Sequence, residues 1–238
     1  PVMDPSLKRV LKRIGKPKSS VFTPDPFQLK ALAATAVGDC LVTVPTGAGK
    51  TWIAMRAMEM RLERNERAWY ACPLKALSNE KYREFKEAFG DAHVGFLTGD
   101  RKENPNAPVI VGTTEILRNQ LYDAMYGGES LKTDLVVLDE AHYLGDPERG
   151  VVWEEIMIYL SDRIPLLLLS ATIGNARVIA GWLESIRGCP CAVIRENKRP
   201  VPLIHLYFHH KKGLMPLFSG KGKKKSLHPA VQLGRAHV

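Results

Sequence analysis

Short apolar runs alternate with longer amphipathic segments through most of this 238-residue chain. Most of the runs lack a polar residue at every second position, which is typical of strands that helices cover on both faces. The predicted strands are residues 40–44, 68–72, 93–97, 108–112, 134–138 and 165–170. The predicted helices are residues 49–63, 75–88, 114–124, 151–160 and 175–186. This alternation predicts an α/β fold with a doubly wound, mostly parallel sheet, helices on both faces and a ligand site at the carboxyl ends of the strands.

A glycine-rich loop, "PTGAGKT", joins the first predicted strand to the first predicted helix. Gly47 and Gly49 allow the backbone to curl, so that its N–H groups and the helix N-terminus point at phosphate oxygens. Lys50 would then reach the β- and γ-phosphates of a nucleotide, and the Thr51 hydroxyl would bind Mg²⁺. The pattern G-x-x-x-x-G-K-[ST] has glycine where this chain has Val44, so this stretch taken alone leaves a chance glycine-rich turn open.

Two acidic residues, Asp139 and Glu140, directly follow the apolar run "LVVL". If their strand neighbours the strand before the glycine-rich loop, Asp139 lies beside that loop and can hold Mg²⁺ through its water shell. Glu140 would then polarise the attacking water. Two acids at a strand end are commonly a solvated turn, but a phosphate loop on another strand favours a catalytic interpretation, with Lys50, Asp139 and Glu140 as the catalytic residues.

Several motifs occur in the order of a known family. "PTGAGKT", "DEAH" and "LSATIGN" resemble motifs I, II and III of superfamily 2 helicases. "LDEAHYLGDPERGVVWEE" is similar to the Ski-type (superkiller) branch of DExH-box RNA helicases. The similarity extends from about Phe22 to His209 and implies a RecA-like P-loop domain, the first motor domain of an ATP-dependent helicase that uses ATP and Mg²⁺.

The resemblance also implies roles for residues around the nucleotide. "FTPDPFQLKAL" resembles the adenine-reading segment of the family, so Gln28 would hydrogen-bond the adenine edge and Phe22 would stack on or flank the ring. Ser170 and Thr172, with His142, would couple the nucleotide state to strand movement. The implied ATP-binding residues are Phe22, Gln28, Thr46, Gly47, Ala48, Gly49, Lys50 and Thr51, and the implied metal ligands are Thr51 and Asp139.

Three further segments, "PLKALSNEKYREF", "LTGD" and "GTTEILRNQL", resemble the strand-contacting motifs of the family. Turns between strands and helices can bind phosphates through helix N-termini and hydroxyl groups without a basic patch. A helix cap at Thr113 or Thr114 stays open as the alternative. The implied nucleic-acid contacts are Pro73, Leu74, Lys75, Gly99, Asp100, Thr113, Thr114, Glu115 and Arg118. The large aromatic residues Trp69, Tyr70, Trp153 and Trp182 lie on apolar faces, which favours core positions over base stacking.

The net charge of +9 comes from the two ends of the chain. Residues 1–20 hold six Lys or Arg and one acid, and residues 196–238 hold nine and one, so the middle of the chain has a small acidic excess. Solvated, flexible ends are favoured over phosphate-binding arms. The predicted organisation is therefore a basic segment at 1–20, a RecA-like domain at 21–210 and a basic linker or tail at 211–238.

No apolar stretch approaches the roughly 20 residues of a membrane helix, which indicates a cytoplasmic protein without a membrane partner. The four cysteines, Cys40, Cys72, Cys189 and Cys191, lack the spacing of a zinc site and are interpreted as buried or incidental thiols.

Two classes of function stay open at this level. The first is a helicase that binds a single strand, RNA in preference to DNA, and closes on a second RecA-like domain; the second is a P-loop switch or remodelling ATPase that acts on protein. The second motor domain of such helicases supplies arginines to the phosphates, and no arginine motif of that kind occurs in this sequence. We therefore expect the chain to be a fragment with weak activity on its own.

Overall fold

The computed structural model describes residues 22–147, 149–199, 205–209, 213–219, 226–228 and 231. The chain divides into two compact units, one of Pro24–Pro200 and one composed of Pro1–Thr23 and Val201–Val238. The domain limits expected from the sequence stay a prediction.

Eight strands and six helices are described in the larger unit. The strands are β1 (Asp39–Thr43), β2 (Ala68–Cys72), β3 (Val94–Leu97), β4 (Lys102–Glu103), β5 (Val109–Thr113), β6 (Leu135–Leu138), β7 (Leu166–Ser170) and β8 (Cys191–Arg195). The helices are α1 (Pro26–Thr35), α2 (Lys50–Leu62), α3 (Lys75–Phe89), α4 (Thr114–Tyr126), α5 (Gly150–Tyr159) and α6 (Ala176–Arg187). Two short 3₁₀ turns, Asp91–His93 and Ala141–Gly145, complete the described elements of this unit.

The eight strands form one sheet in the order β4-β3-β5-β2-β6-β7-β1-β8. All pairings are parallel except that of β3 with the two-residue β4. Buried residues of α1, α2 and α3 pack on one face of the sheet, and those of α4, α5 and α6 pack on the other. The predicted doubly wound, mostly parallel sheet is therefore confirmed, and its parallel strands present their carboxyl ends along one edge.

The six predicted strands and five predicted helices all form, with bounds within two residues of those predicted. The sequence interpretation missed α1, β4 and β8. In the other unit, the strand β9 (Leu206–His209) pairs with β10 (Gly213–Pro216) in a two-stranded antiparallel sheet. Two more short strands, β11 (Phe218–Ser219) and β12 (Ser226–Leu227), pair within the segment predicted as a linker.

A buried ion pair fastens the amino-terminal end of β1. The Arg187 guanidinium donates to Asp39 at 2.6 Å, and both side chains are 1% exposed. The same guanidinium donates to the carbonyl oxygens of Leu160 at 2.7 Å and Ile164 at 2.8 Å, while Asp39 accepts the Leu166 N–H at 2.9 Å. Because every strong polar group in this cluster has a partner, burial of the two charges is compensated.

The cysteines lie in the sheet or at its end as free thiols. Burial, with nearby acidic groups, raises the pKa of Cys40 and Cys191 to about 12 and also raises the pKa of Cys72 and Cys189. Thiols with raised pKa values are poor nucleophiles at neutral pH, as expected for structural cysteines. None of the helices in the described ranges is both long and apolar enough to span a bilayer.

Candidate functional site

The glycine-rich loop has the curled backbone that its sequence predicts. Gly47 has a φ angle of +82° and Gly49 one of +85°, which glycine adopts without steric cost. Val44 is buried and donates its N–H to the Ser170 carbonyl at 3.2 Å, so it extends the strand where the pattern usually has glycine. Helix α2 begins at Lys50, directly after Gly49. The loop therefore presents its backbone N–H groups at a helix N-terminus, the arrangement that binds phosphate.

The Gln28 side chain is tied to this loop. Its Nε2 donates to the Gly49 carbonyl at 3.2 Å, and its Oε1 accepts the Asp25 N–H at 2.7 Å. Gln28 is buried, so both ends of its amide are used within the protein. Adenine recognition by Gln28 stays a prediction, and one of these hydrogen bonds would have to be exchanged or shared. Phe22 is 61% exposed and belongs to the other compact unit, so its role beside the adenine also stays a prediction.

The contact between Gln28 and Gly49 leads to a first prediction. A Cβ atom at Gly49 would lie 2.5 Å from Gln28 Nε2, whereas one at Gly47 would meet nothing within 4 Å. Because both glycines have nearly the same positive φ, Gly49→Ala and Gly47→Ala carry a similar φ strain, and Gly49→Ala additionally displaces Gln28. We expect Gly49→Ala to lower the free energy of unfolding by about 1 kcal/mol more, the worth of one hydrogen bond.

Urea unfolding of the two variants, followed by circular dichroism, measures the difference. Each variant is also made in a Gln28→Ala background, where the difference should vanish because no amide remains to be displaced. Equal stabilities of the two glycine variants in the wild-type background would contradict the prediction.

The Thr51 hydroxyl has a partner that sequence reasoning missed. Lys81, a buried residue of α3, donates from Nζ to Thr51 Oγ1 at 2.9 Å and to Glu84 Oε2 at 2.8 Å. Lys81 uses one of the two lone pairs of this hydroxyl oxygen, which leaves the other for a metal ion. The oxygen-only donor set of Thr51 and Asp139 is also the kind that Mg²⁺ prefers, so these residues fit the metal that the sequence predicts. The spacing of residues within a motif could not predict this role of Lys81, because Thr51 lies on another helix, α2, and the contact depends on how the two helices pack.

The acidic tip, Asp139 and Glu140, directly follows β6 and has an unusual backbone. Glu140 has a φ angle of +54°, in the left-handed region, and the two other non-glycine residues with positive φ in the described ranges are asparagines. A glutamate in this region is strained, and such strain collects at functional sites. The turn directs the Glu140 carboxylate to His142, whose Nδ1 lies 3.2 Å from Glu140 Oε2.

Both carboxylate oxygens of Asp139 are held from inside the protein. Oδ1 accepts the Glu140 N–H at 2.9 Å, and Oδ2 accepts the hydroxyl of Tyr70 at 2.6 Å. Burial and the nearby Asp139 charge raise the pKa of Tyr70 well above its ordinary value, so the phenol keeps its proton and donates. Tyr70 is therefore buried, as the sequence predicts, but it also contacts a residue of the site.

The strands that carry the phosphate loop and the acidic tip are not adjacent, which corrects the condition set in the sequence interpretation. β7 lies between β1 and β6. The loop and the tip nevertheless share one cavity of about 500 Å³, whose lining includes Thr46, Pro73, Glu140, His142 and Ala171. They meet because the carboxyl ends of all these parallel strands lie on the same edge.

Of the predicted coupling residues, Ser170 ends the intervening strand β7. Ser170 Oγ is fully buried, and in the part of the chain that the structure describes it is the buried side-chain oxygen or nitrogen without a hydrogen-bond partner. Thr172 lies two residues further on and is exposed. His142 is exposed beside Glu140. These three residues therefore lie near the nucleotide side of the edge, and their coupling role stays a prediction.

The predicted nucleic-acid residues occupy the other half of the same edge. Those of the first segment lie where β2 meets α3, Gly99 and Asp100 follow β3, and those of the third lie where β5 meets α4. Thr113 is at the N-cap position of α4, but its side chain makes no capping hydrogen bond. The Thr113 side chain therefore does not support the capping alternative. It forms no hydrogen bond with the N–H groups at the start of α4.

The basic side chains among these predicted nucleic-acid residues form ion pairs with acidic residues. Lys75 lies 2.9 Å from Asp100, which joins two of the predicted segments, and Arg118 lies 3.4 Å from Glu155. Hydrogen bonds from Lys75 and Thr98 lower the pKa of Asp100. No basic patch is therefore formed by these residues. Trp69, Tyr70 and Trp153 are buried, which agrees with the predicted core positions; Trp182 is partly buried.

The fold and the site together define a class of protein. A parallel sheet with a phosphate loop after β1 and paired acids after β6 is a RecA-like P-loop nucleoside triphosphatase domain. Residues 25–179 match the DEAD/DEAH box helicase family, and the chain belongs to that family.

Two curated relatives confirm the similarity to the Ski-type branch. The chain is 46% identical over 206 residues to the chloroplastic DExH-box ATP-dependent RNA helicase DExH15 of Arabidopsis thaliana, covering 84% of this chain and 17% of the relative. It is 44% identical over 190 residues to Superkiller complex protein 2 of Homo sapiens, covering 79% and 15%. The solved Pyrococcus furiosus Hef helicase domain aligns with a TM-score of 0.55 and 26% identity over 73% of this chain and 38% of its own. The chain thus spans less than a fifth of the length of either curated relative.

Proposed function

We propose that this chain is the first motor domain of an ATP-dependent helicase that acts on a nucleic-acid strand, RNA in preference to DNA. The observation that carries the proposal is the shared cavity in which the phosphate loop, the acidic tip and the start of α3 meet. Similarity to an Arabidopsis RNA helicase supports the preference for RNA. A cytoplasmic location stays a prediction.

In the proposed nucleotide site, backbone N–H groups of the glycine-rich loop bind the phosphate oxygens, apart from that of Ala48, which donates to the Pro45 carbonyl, and Lys50 reaches the β- and γ-phosphates. Thr51 and Asp139 would hold Mg²⁺, which neutralises phosphate charge when bound. Glu140 orients the attacking water and accepts its proton, and His142 restrains the Glu140 carboxylate.

In the proposed strand site, the N-termini of α3 and α4 bind phosphates of a single strand. Both helices begin at the carboxyl edge of the sheet, after β2 and β5, which are paired neighbours. Helix N-termini contact phosphate without reading bases, so binding would be independent of sequence. The paired Lys75 and Arg118 would add charge only after exchanging their acidic partners.

A second RecA-like domain in the full-length protein would close over the nucleotide and supply cationic groups to the phosphates. Alternation between open and closed states of the two domains would then change the affinity for the nucleic-acid strand. The chain by itself is expected to bind nucleotide weakly, to hydrolyse it slowly and not to unwind a duplex.

ATP hydrolysis by the full-length protein, with and without single-stranded RNA, tests this function. We expect RNA to stimulate hydrolysis and Lys50→Ala to reduce the stimulated rate by roughly 10²–10³-fold, because a preorganised cation at the phosphates is lost. Strand binding should weaken with salt, with log K falling by about 0.7 per phosphate contact for each unit of log salt concentration.

The outcome separates the alternatives. Stimulation by single-stranded DNA in preference to RNA would identify a DNA helicase of the same superfamily. A remodelling ATPase that acts on protein would give a different result. Its ATP hydrolysis would depend on Lys50 but respond to neither nucleic acid, and it would show no salt-sensitive binding of a strand.

A further inference from the structure

The hydroxyl of Tyr70 is a buried polar group that lies next to the reaction site and belongs to no motif named above. Tyr70 is in the middle of β2 and has no exposed surface. Its ring packs edge-on against Phe85, with ring centroids 4.9 Å apart. A phenylalanine would satisfy this apolar environment equally well, so the hydroxyl must be explained by what it contacts.

Sheet register brings this hydroxyl to the acidic tip. β2 pairs with β6 so that Tyr70 lies opposite Val137, and Ala71 lies opposite Leu138. Asp139 follows two residues after Val137, so its side chain is on the same face of the sheet as that of Tyr70. The Asp139 N–H also donates to the Ala71 carbonyl at 2.9 Å, which continues the pairing up to the acid itself.

We propose that Tyr70 is a positioning residue for the magnesium–nucleotide site and acts through Asp139. The 2.6 Å hydrogen bond to Oδ2 and the Glu140 N–H on Oδ1 fix the carboxylate at two points. Each oxygen accepts one of these hydrogen bonds, so each keeps a further lone pair with which the oriented carboxylate would bind a metal ion or its water. Partners that orient a metal-binding carboxylate in this way are typically worth 10–100-fold in metal affinity. The inference rests on the proposed function of Asp139 as a Mg²⁺ ligand.

The test is Tyr70→Phe in the full-length protein, which removes one oxygen atom and keeps the ring. Binding of a fluorescent ADP analogue is measured by anisotropy over a series of Mg²⁺ concentrations and in EDTA. We expect the Mg²⁺ concentration at half-maximal binding to rise about 10-fold, at the low end of the usual range because Asp139 holds the metal partly through water. Binding in EDTA should stay as in the wild type.

Tyr82→Phe is the matched control. The Tyr82 hydroxyl also donates to a carboxylate, Glu103 Oε2 at 2.9 Å, but that pair joins α3 to β4. Both variants lose a tyrosine-to-carboxylate hydrogen bond, so both should lose some stability toward urea. Only Tyr70→Phe should change the Mg²⁺ requirement.

Asp139→Asn and the Asp139→Asn/Tyr70→Phe double variant complete the cycle. If Tyr70 acts through Asp139, the double variant should have the Mg²⁺ requirement of Asp139→Asn alone. An unchanged or lower Mg²⁺ requirement in Tyr70→Phe, or additive effects in the double variant, would overturn the inference. Nucleotide binding by the wild type that does not depend on Mg²⁺ would instead contradict the proposed metal site itself, so the two failures are distinguishable.

Discussion

Glu140→Gln in the full-length protein is expected to slow ATP hydrolysis by about 10²–10⁴-fold and to leave the affinity for Mg²⁺ and ATP close to that of the wild type. Glutamine has the shape of glutamate but cannot accept a proton from water. The strained turn at Glu140 should survive the substitution, because Asp139 Oδ1 still accepts the residue 140 N–H. Steady-state hydrolysis and binding of a fluorescent ATP analogue measure the two quantities separately.

Glu80→Gln is the control for this experiment. Glu80 lines the same cavity from α3, so its substitution removes the same charge from the same space. If the effect at Glu140 were only one of cavity charge, both variants would lose activity together. Retained hydrolysis in Glu140→Gln would remove Glu140 from the role of proton acceptor.

The second large effect is expected on stability rather than on catalysis. Arg187→Met leaves the Asp39 carboxylate buried without its counter-charge and removes the guanidinium donor from three carbonyl oxygens. Removing one partner of a buried ion pair typically costs about 3–5 kcal/mol, a large fraction of the stability of a domain. The free energy of unfolding in urea, followed by circular dichroism, measures the loss.

Arg61→Met provides the comparison. Arg61, near the end of α2, pairs with Glu66 at 2.8 Å, and their side chains are 16% and 31% exposed, so solvent still screens the pair and it should contribute less than the fully buried one. Equal losses from Arg187→Met and Arg61→Met would show that burial of the Asp39 pair does not matter for stability.

The phosphate loop could be predicted from the sequence because its chemistry is local. A strand, a glycine-rich curl and a helix start follow one another within a few residues, and no distant contact decides their order. The helix α1 was missed for the opposite reason. Its buried positions include polar Gln28 and Thr35 beside small Ala31, so no apolar period marks it. β8 does contain a short apolar run, Cys-Ala-Val-Ile, so a strand signal was present in the sequence and could have been used.

The order of the strands in the sheet could not be predicted from the sequence, for a physical reason. Parallel strands are joined by helical crossovers, and the crossover after one strand can reach a neighbour on either side or pass over it. The sequence therefore predicted that the loop and the acidic tip share an edge, which the common cavity confirms, but it could not show that β7 lies between them. The contacts of Tyr70 with Asp139 and of Lys81 with Thr51 depend on that order and could not be foreseen.

The two edge strands of the eight-stranded sheet, β4 and β8, differ in how well they could pair with a strand of another polypeptide. β4 has two residues, Lys102 and Glu103, and runs against its neighbour, whereas β8 has five residues and runs parallel to β1. Unpaired backbone groups on a long margin act as a template for strand addition, while short or charged margins do not. Growth of the sheet is therefore disfavoured at the β4 side, and of the two margins β8 is the one long enough to recruit a further strand.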